Sequence, residues 1–336
     1  MSEKKIFLMG LGSVGRNLLS LIGKDNFSGI LGKEFFLVGA SDSKSIIFEE
    51  EGINPEIVLE SKKNKALEAA GTVLKKLPGP DEVDIFVDMS TASKDGAREF
   101  NIYKEYLKAG KSVVTSNKSP LANFWPEIMH FAKEGNASIL YESTVCGGLP
   151  LFNMVRSALP GMEILSFRGI VNLTANYILE SMRKGGSKEE AIKNAIKEGF
   201  AETDYYDDVS GLDSARKTVI VANSLFGTQL RLKDQKFEGI GSSIEFHENR
   251  RKMLISSVRR TSNGVLAESR IEEIESGDKF YSLKEKAMAY EINPKLRSSI
   301  FVAEDYDGPV ETSLGVLSDI LSLLPQNNPN KKSGNF

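Results

Sequence analysis

The sequence predicts an α/β protein: a doubly wound parallel sheet followed by a second, mixed α/β domain. Three observations carry that prediction. A short apolar strand runs straight into Gly10-Leu11-Gly12-Ser13-Val14-Gly15 and an amphipathic helix. Buried strands and helices then alternate to about residue 145. After Pro150 apolar helices mix with short strands, and no further glycine turn of that kind occurs.

Ile6 to Met9 reads as a buried strand, and Val14, Leu18, Leu21 and Ile22 share one face of the next helix. Phe35 to Ala40 is a second strand, ending at Ser41-Asp42. Ile85 to Asp88 and Ser112 to Thr115 are the next, separated by a helix over roughly 96–109. This alternation builds a Rossmann-type sheet with helices on both faces. In the second part, Ser187-Lys188-Glu189-Glu190 is a capping box, and its helix buries Ala191, Ile192, Ala195 and Ile196. Leu314, Leu317, Ile320, Leu321 and Leu324 stand at helical spacing in a last helix over Thr312 to Leu324. The expected division is a dinucleotide-binding domain over 1–145, a substrate-binding domain over 146–308 and a flexible tail at 326–336, whose Asn, Pro, Lys and Gly content suits no core.

Composition narrows the class. The 336 residues are 40% apolar and 26% charged, as in an ordinary globular protein with room for two cores. With 43 Lys+Arg against 46 Asp+Glu there is no electrostatic case for nucleic acid or an anionic membrane as partner, which leaves a small molecule. One cysteine, Cys146, excludes an intrachain disulfide, fits a reducing compartment and reads as a small packing residue. No apolar run reaches membrane-span length, and Ile6-Phe7-Leu8-Met9 is too short for a signal-peptide core, so the expectation is a cytoplasmic protein.

Gly10, Leu11, Gly12, Ser13, Val14 and Gly15 form a G-x-G-x-x-G turn, which brings backbone N–H groups and a helix N-terminus against a pyrophosphate. Asp42, at the end of the second strand, is placed to accept from the adenosine ribose hydroxyls and to repel a 2′-phosphate; this favours NAD, with Lys44 nearby as an offset that keeps NADP open.

The richest stretch runs from Gly199 to Lys217. Asp213 and Lys217 are four residues apart, on one face of a helix starting near Ser210. An exposed i,i+4 pair would carry no function. Here the helix continues as Thr218-Val219-Ile220-Val221-Ala222 and enters the core, where charge must be paired.

The run Ala201-Glu202-x-Asp204-x-x-Asp207-Asp208-x-x-Gly211-x-Asp213-x-x-x-Lys217 resembles the substrate-site signature of homoserine dehydrogenases. Thr115 to Lys118, Tyr141 to Pro150 and Gly169 to Leu179 resemble further motifs of that family, in its order. The resemblance implies reversible oxidation of L-homoserine to L-aspartate 4-semialdehyde with hydride transfer to NAD or NADP, in a homodimer whose second domain also dimerises. It implies Lys217 as the cationic donor to the reacting oxygen, assisted by Lys118 beside the nicotinamide. Glu202 would bind the substrate ammonium, Asp213 would orient substrate and Lys217, and Asp208 would stand behind them. Ser90 and Thr91 would contact the cofactor, or cap the next helix. Carbonyls of Glu142, Val145, Gly147 and Leu149 would hold a sodium ion, although a tight interdomain turn explains the same glycines. A terminal helix over 309–325 would return to the nucleotide domain, and the length is that of the short form without a regulatory domain.

Three departures stand against the family pattern: Leu173 and Ala175 replace a glycine and a threonine, Tyr205 a proline, and Glu304 to Pro309 a glycine-rich turn, leaving Gly308 as its cofactor contact. His130 and His247 fall in no motif. The rival readings are another Rossmann-type amino-acid dehydrogenase, such as one acting on aspartate, and a non-catalytic nucleotide sensor.

Overall fold

The computed structural model describes residues 4–23, 35–91, 93–198, 205–241 and 244–324. Its first sheet contains β1 (Lys4–Met9), β2 (Phe35–Ser41), β3 (Ile46–Phe48), β4 (Thr72–Val73), β5 (Ile85–Asp88), β6 (Ser112–Thr115) and β7 (Ile139–Leu140). They lie in the order β4-β3-β2-β1-β5-β6-β7. The pairs β2/β1, β1/β5, β5/β6 and β6/β7 are parallel, while β3 and β4 add antiparallel strands at one edge. Ile6, Phe7 and Leu8 of β1 are wholly buried, as a central strand covered on both faces must be.

The helices of this layer are α1 (Ser13–Ile22), α2 (Pro55–Lys63), α3 (Ala97–Lys108) and α4 (Lys118–Glu134). In α1 the buried face is Gly15, Leu18, Leu19 and Ile22, so Leu19 and not Leu21 completes the expected stripe. Asn54 starts α2 by accepting from Glu56 N–H at 2.8 Å, with Pro55 at the first helical position. Strand order reverses at β1, so the carboxyl ends of β1, β2, β5 and β6 open on one edge. Ligands of such sheets sit there.

The second part contains α5 (Phe152–Ala158), β8 (Ile164–Ile170), α6 (Leu173–Arg183), α7 (Lys188–Lys197), α8 (Tyr206–Val209), α9 (Leu212–Phe226), β9 (Lys236–Phe237), β10 (Arg250–Thr261), β11 (Gly264–Glu275), β12 (Met288–Pro294), β13 (Ile300–Glu304) and α10 (Pro309–Leu323). Its sheet runs β13-β12-β8-β10-β11-β9. The sequence suggests short strands, yet β10 and β11 are 12 residues each, joined through Ser262-Asn263 with Gly264 at φ +119°. Leu254, Ile255 and Val258 of β10 are buried, and helix α9 crosses behind with Val219, Ile220, Val221 and Ala222 wholly buried. The capping box at Ser187 and Glu190 is present, with both reciprocal bonds made.

Helix α10 begins at Pro309, three residues earlier than its apolar spacing indicates. Val316, Leu317, Ile320 and Leu324 share one apolar cluster with Leu18, Leu19 and Ile22 of α1, whereas Leu314 is 40% exposed and outside the stripe. Full burial of such a side chain stabilises by roughly 1.5–3 kcal/mol. The Asp319 carboxylate accepts from Glu142 N–H at 2.7 Å, and the Ser143 hydroxyl donates to the Thr312 carbonyl at 2.7 Å. These bonds tie α10 to the turn after β7. At Gly315 an added Cβ would stand 2.3 Å from Ser143 Oγ and 2.8 Å from the Gly147 carbonyl, so only glycine admits this approach.

Candidate active site

The glycine turn after β1 has three separate jobs. Gly10 has φ +99°, and a Cβ there would lie 2.4 Å from Ser90 N. Gly15 packs under the turn, where a Cβ would meet the Gly10 carbonyl at 2.1 Å. Gly12 alone faces open space, with nothing within 4 Å of its would-be Cβ, at the N-cap of α1. That is where a phosphate approaches backbone N–H groups.

A cleft of about 420 Å³ opens from this turn, lined among others by Gly10, Leu11, Gly12, Asp42, Ser90 and Thr91. Ser13 and Val14 begin α1 beside it, and Gly15 lies buried beneath. Gly308 is not part of this lining; it is the N-cap of α10, with its carbonyl accepting from Thr312 N–H at 2.9 Å.

Asp42 does not stand free in the cleft. One oxygen accepts from the N–H groups of Lys44 and Ser45 at 2.8 and 2.9 Å, and the other is paired with the Lys62 ammonium. Burial alone would lift its carboxyl; Lys62 and the two N–H groups hold it below its ordinary value. Lys44 reaches Asp42 only through its backbone, and its side chain is exposed, so the local cation is Lys62. Lys62 lies on α2, with no nucleotide motif to mark it. Arg16 and Arg98, also unmarked, line the same cleft.

The second constellation forms where α9 meets α4 and the end of β8. Gly211, at φ +82°, starts α9 against the Glu238 carbonyl, 2.1 Å from its would-be Cβ, and this sets where Asp213 and Lys217 point. The two carboxylate oxygens of Asp213 are divided between lysines: Oδ1 is 3.1 Å from Lys118 Nζ and Oδ2 is 3.0 Å from Lys217 Nζ. Lys217 also donates to the Val171 carbonyl. Asn172 caps α6 with its side-chain oxygen and uses its amide nitrogen to bridge Asp208, at 2.7 Å, and Asp213, at 2.9 Å. The motif containing Asn172 is visible in the sequence, but nothing there reveals that it joins the two carboxylates.

Burial would raise Asp213, but Lys118 and Lys217 together hold its carboxyl far below the usual range. Burial, and then the Asp213 charge, push Asp208 up to about 6. Burial opposes the Lys217 charge, yet Asp213 outweighs it and keeps its pKa above the ordinary lysine value. The site therefore offers a buried lysine whose charged form is favoured, oriented by a carboxylate whose ionised form is favoured. Such a pair can stabilise an oxygen that gains negative charge and can hand it a proton. Glu202, the remaining substrate-binding candidate, lies outside the described residues.

Comparison with known proteins gives this geometry its context. Residues 10–142 match the family model described as homoserine dehydrogenase, NAD binding domain, and residues 150–321 match the model described as homoserine dehydrogenase. A homoserine dehydrogenase of Sulfurisphaera tokodaii is 32% identical over 95% of this chain and 98% of its own length. The chain belongs to the homoserine dehydrogenase family. An NAD(+)-dependent homoserine dehydrogenase of Pseudomonas canavaninivorans is 30% identical over 96% of this chain and 97% of its own. The crystal structure of a homoserine dehydrogenase from Thermoplasma acidophilum superposes with a TM-score of 0.85 at 34% identity, covering 96% of this chain and 99% of that one.

A homoserine dehydrogenase is a nicotinamide-dependent oxidoreductase, and the family models span both the part with the glycine-turn cleft and the part with the Asp213–Lys217 pair. The rival readings, an aspartate-type dehydrogenase and a silent sensor, are not favoured. Among the described residues no helix is long and apolar enough to cross a membrane.

The turn over Tyr141 to Pro150 joins the two sheets. The Glu142 carboxylate accepts from the N–H groups of Leu151, Phe152 and Asn153 at the start of α5, so the side chain is committed to the backbone. Asp307 reaches across from the segment before α10; its Oδ1 accepts from Gly148 N–H at 3.2 Å and it would collide with any side chain at Gly147. Asp307 belongs to the Glu304 to Pro309 segment that departs from the expected glycine-rich turn. Cys146 is buried, and burial pushes its thiol far above the usual range, so it packs and does not react.

Proposed function

We propose that Lys217 is the group that faces the reacting oxygen of homoserine, with Lys118 beside it and Asp213 holding both. The observation that carries this reading is the single buried carboxylate shared by two lysines from α4 and α9. Bound nicotinamide supplies the hydride acceptor. In the reducing direction the Lys217 ammonium stabilises the developing alkoxide and gives it a proton; Asp213 keeps the ammonium aimed and charged. Glu202 takes the substrate ammonium in this reading, and Glu202→Gln is expected to raise the KM for homoserine with the KM for cofactor unchanged; an unchanged homoserine KM removes it from the site.

Asp208 sets a pH dependence. It is faced by Asp213 and Lys217 of α9, Lys118 of α4 and the Asn172 amide. As pH falls through about 6 it takes a proton, and the site loses one of the negative charges that face its two ammonium groups, leaving Asp213 and, on the Lys217 side, Asp307. The kcat/KM for homoserine is therefore expected to fall below pH about 6, and Asp208→Asn to flatten that limb. A limb unchanged in the variant would assign it to another group.

For the cofactor, which is NAD or NADP, Asp42 supports a preference for NAD, with Gly10 to Gly15, Ser90 and Thr91 holding the pyrophosphate side. Asp42→Ser is expected to shift the ratio of specificity constants toward NADP by roughly tenfold, which takes about 1.4 kcal/mol. Lys62, released from its partner, then faces the 2′-phosphate, so adding Lys62→Ala should return the ratio toward NAD. A ratio that neither variant moves would place the ribose elsewhere. Gly308 is the N-cap of α10 and does not line the cleft.

A monovalent cation in the turn after β7 is supported by its donor set. Among the described residues the carbonyls of Val145, Gly147 and Leu149 accept no hydrogen bond, and hard cations take such oxygens. Equal thermal midpoints in sodium and choline chloride at one ionic strength would remove the sodium ion. The domain division at about 145, with helix 309–325 packed on the nucleotide side, is supported by the two separate sheets and the shared cluster of α10 and α1. A cytoplasmic homodimer remains the reading carried by the family likeness; light scattering should give twice the 37.0 kDa of one chain, and a single-chain mass would exclude it.

A further inference from the structure

Asp88, the last residue of β5, is wholly buried, and no lysine or arginine pairs with it among the described residues. A carboxylate buried without a cation is a poor way to stabilise a fold. It is retained in a web of four donors from three segments. Ser90 gives Oδ1 both its N–H, at 2.8 Å, and its hydroxyl, at 2.6 Å. The Tyr103 hydroxyl of α3 gives Oδ2 a bond of 2.5 Å, and the Asn117 amide nitrogen gives it one of 3.3 Å.

The Asn117 branch has an internal signature. Burial raises the Asp88 carboxyl above its ordinary value, and Oδ2 accepts from the side-chain nitrogen of Asn117, which is the end of the amide presented to it. The side-chain oxygen of Asn117 is thereby turned to a buried place where no donor meets it. An orphaned buried carbonyl is unfavourable, tolerated here because the other end of the amide is anchored. Asn117 is the residue immediately before Lys118, and its own N–H is held by Thr115 Oγ1 at 2.8 Å, which in turn meets the Tyr103 hydroxyl at 2.8 Å.

The Ser90 branch repeats the logic on the cofactor side. Ser93, three residues on, donates through its hydroxyl and its N–H to Glu99, a second wholly buried carboxylate. Thr91 thus stands between two serines, each fastened to a buried acid, and is itself exposed to the cleft.

We propose that Asp88 is a positioning residue for the reaction: its Oδ1 fixes the cofactor loop at Ser90-Thr91 while its Oδ2 fixes Asn117 and with it the start of α4 that carries Lys118. One side chain therefore sets the spacing between the cofactor and the lysine that shares Asp213. The proposal rests on the reading that Ser90-Thr91 meets the cofactor and Lys118 serves the substrate.

Because the two oxygens serve different partners, the two branches separate kinetically. Ser90→Ala is expected to raise the KM for the nicotinamide cofactor several-fold with kcat within about twofold, and Asn117→Ala to lower kcat about tenfold with the cofactor KM nearly unchanged, since misplacement by about 1 Å can cost up to a hundredfold. Asp88→Ala, which frees both branches, should show both effects together. Should Asp88→Ala fail to fold, the two single-branch variants decide the matter. Three folded variants that lower only the thermal midpoint, or Ser90→Ala and Asn117→Ala changing the same parameter, would overturn the proposal. Lys118→Met is the control: if it lowers kcat while Asn117→Ala does not, the reading of Lys118 stands and the proposal falls. If Lys118→Met leaves kcat unchanged, both fall.

Discussion

Lys217→Ala is expected to lower turnover by at least about a hundredfold, the usual scale for a group that moves a proton in the transition state. Folding should survive, because Asp213 keeps Lys118 and the Asn172 amide as partners when Lys217 is gone. Cofactor affinity should survive as well, since Lys217 is no part of the nucleotide cleft. Steady-state kinetics combined with cofactor titration checks both halves. More than half the wild-type rate would remove Lys217 from the chemistry, and a lost cofactor affinity would mean that the two sites are one.

Asp213→Asn should be the most damaging single change to stability. It leaves the buried Lys217 ammonium and the partly exposed Lys118 ammonium, 3.0 and 3.1 Å from the same amide, with Asp208 and Asp307 as the remaining acidic neighbours. Breaking the buried Lys217 pair costs up to roughly 3–5 kcal/mol, and the partly exposed Lys118 pair adds little because water screens it. The shifts define the pH window. Asp213, held below its ordinary 3.8, contributes stability that is complete above that value and is lost as pH falls through the lower folded value. Lys217, held above 10.5, contributes stability that is complete below that value and is lost only as pH rises past the folded one. Both contributions are thus intact across the neutral range, where the deficit of the variant should be largest. Urea unfolding at pH 7 would show it. A loss of less than about 1 kcal/mol would mean that the lysines are solvated and the site is open, as for exposed pairs.

Legibility in the chain depends on the range of the interaction. Ile6 to Met9, Ile85 to Asp88 and Ser112 to Thr115 announce their strands because central parallel strands are apolar throughout, and the glycine turn announces the start of α1 and the phosphate cradle beside it. The hairpin of β10 and β11 does not stand out. Its register pairs charged residues, Arg250 with Glu275 and Lys252 with Glu273, on strands that alternate polar and apolar side chains, and the charge hides the period.

In the site, Asp213 and Lys217 are readable as helical neighbours. That Asp213 also takes Lys118 from another element is not, because no local spacing encodes a contact across the sequence. The same holds for Asp42. Its place at the end of β2 is apparent, while its counter-ion Lys62 arrives from α2, and Lys44, nearer in sequence, is the cation that spacing alone suggests. Asp307 escapes notice for the same reason. It packs against the Gly147-Gly148 backbone from a segment distant in sequence, and a contact of this kind has no pattern that residue types alone would signal.

The most direct test is to measure nicotinamide reduction by the purified protein with L-homoserine, using NAD and NADP in parallel and L-aspartate as the alternative substrate. The expected result is homoserine-dependent reduction with at least one cofactor, faster with NAD, and loss of that rate by about a hundredfold in Lys217→Ala. Reduction with aspartate and none with homoserine, or none with either under conditions where the cofactor binds, would contradict the assignment of this site to homoserine oxidation.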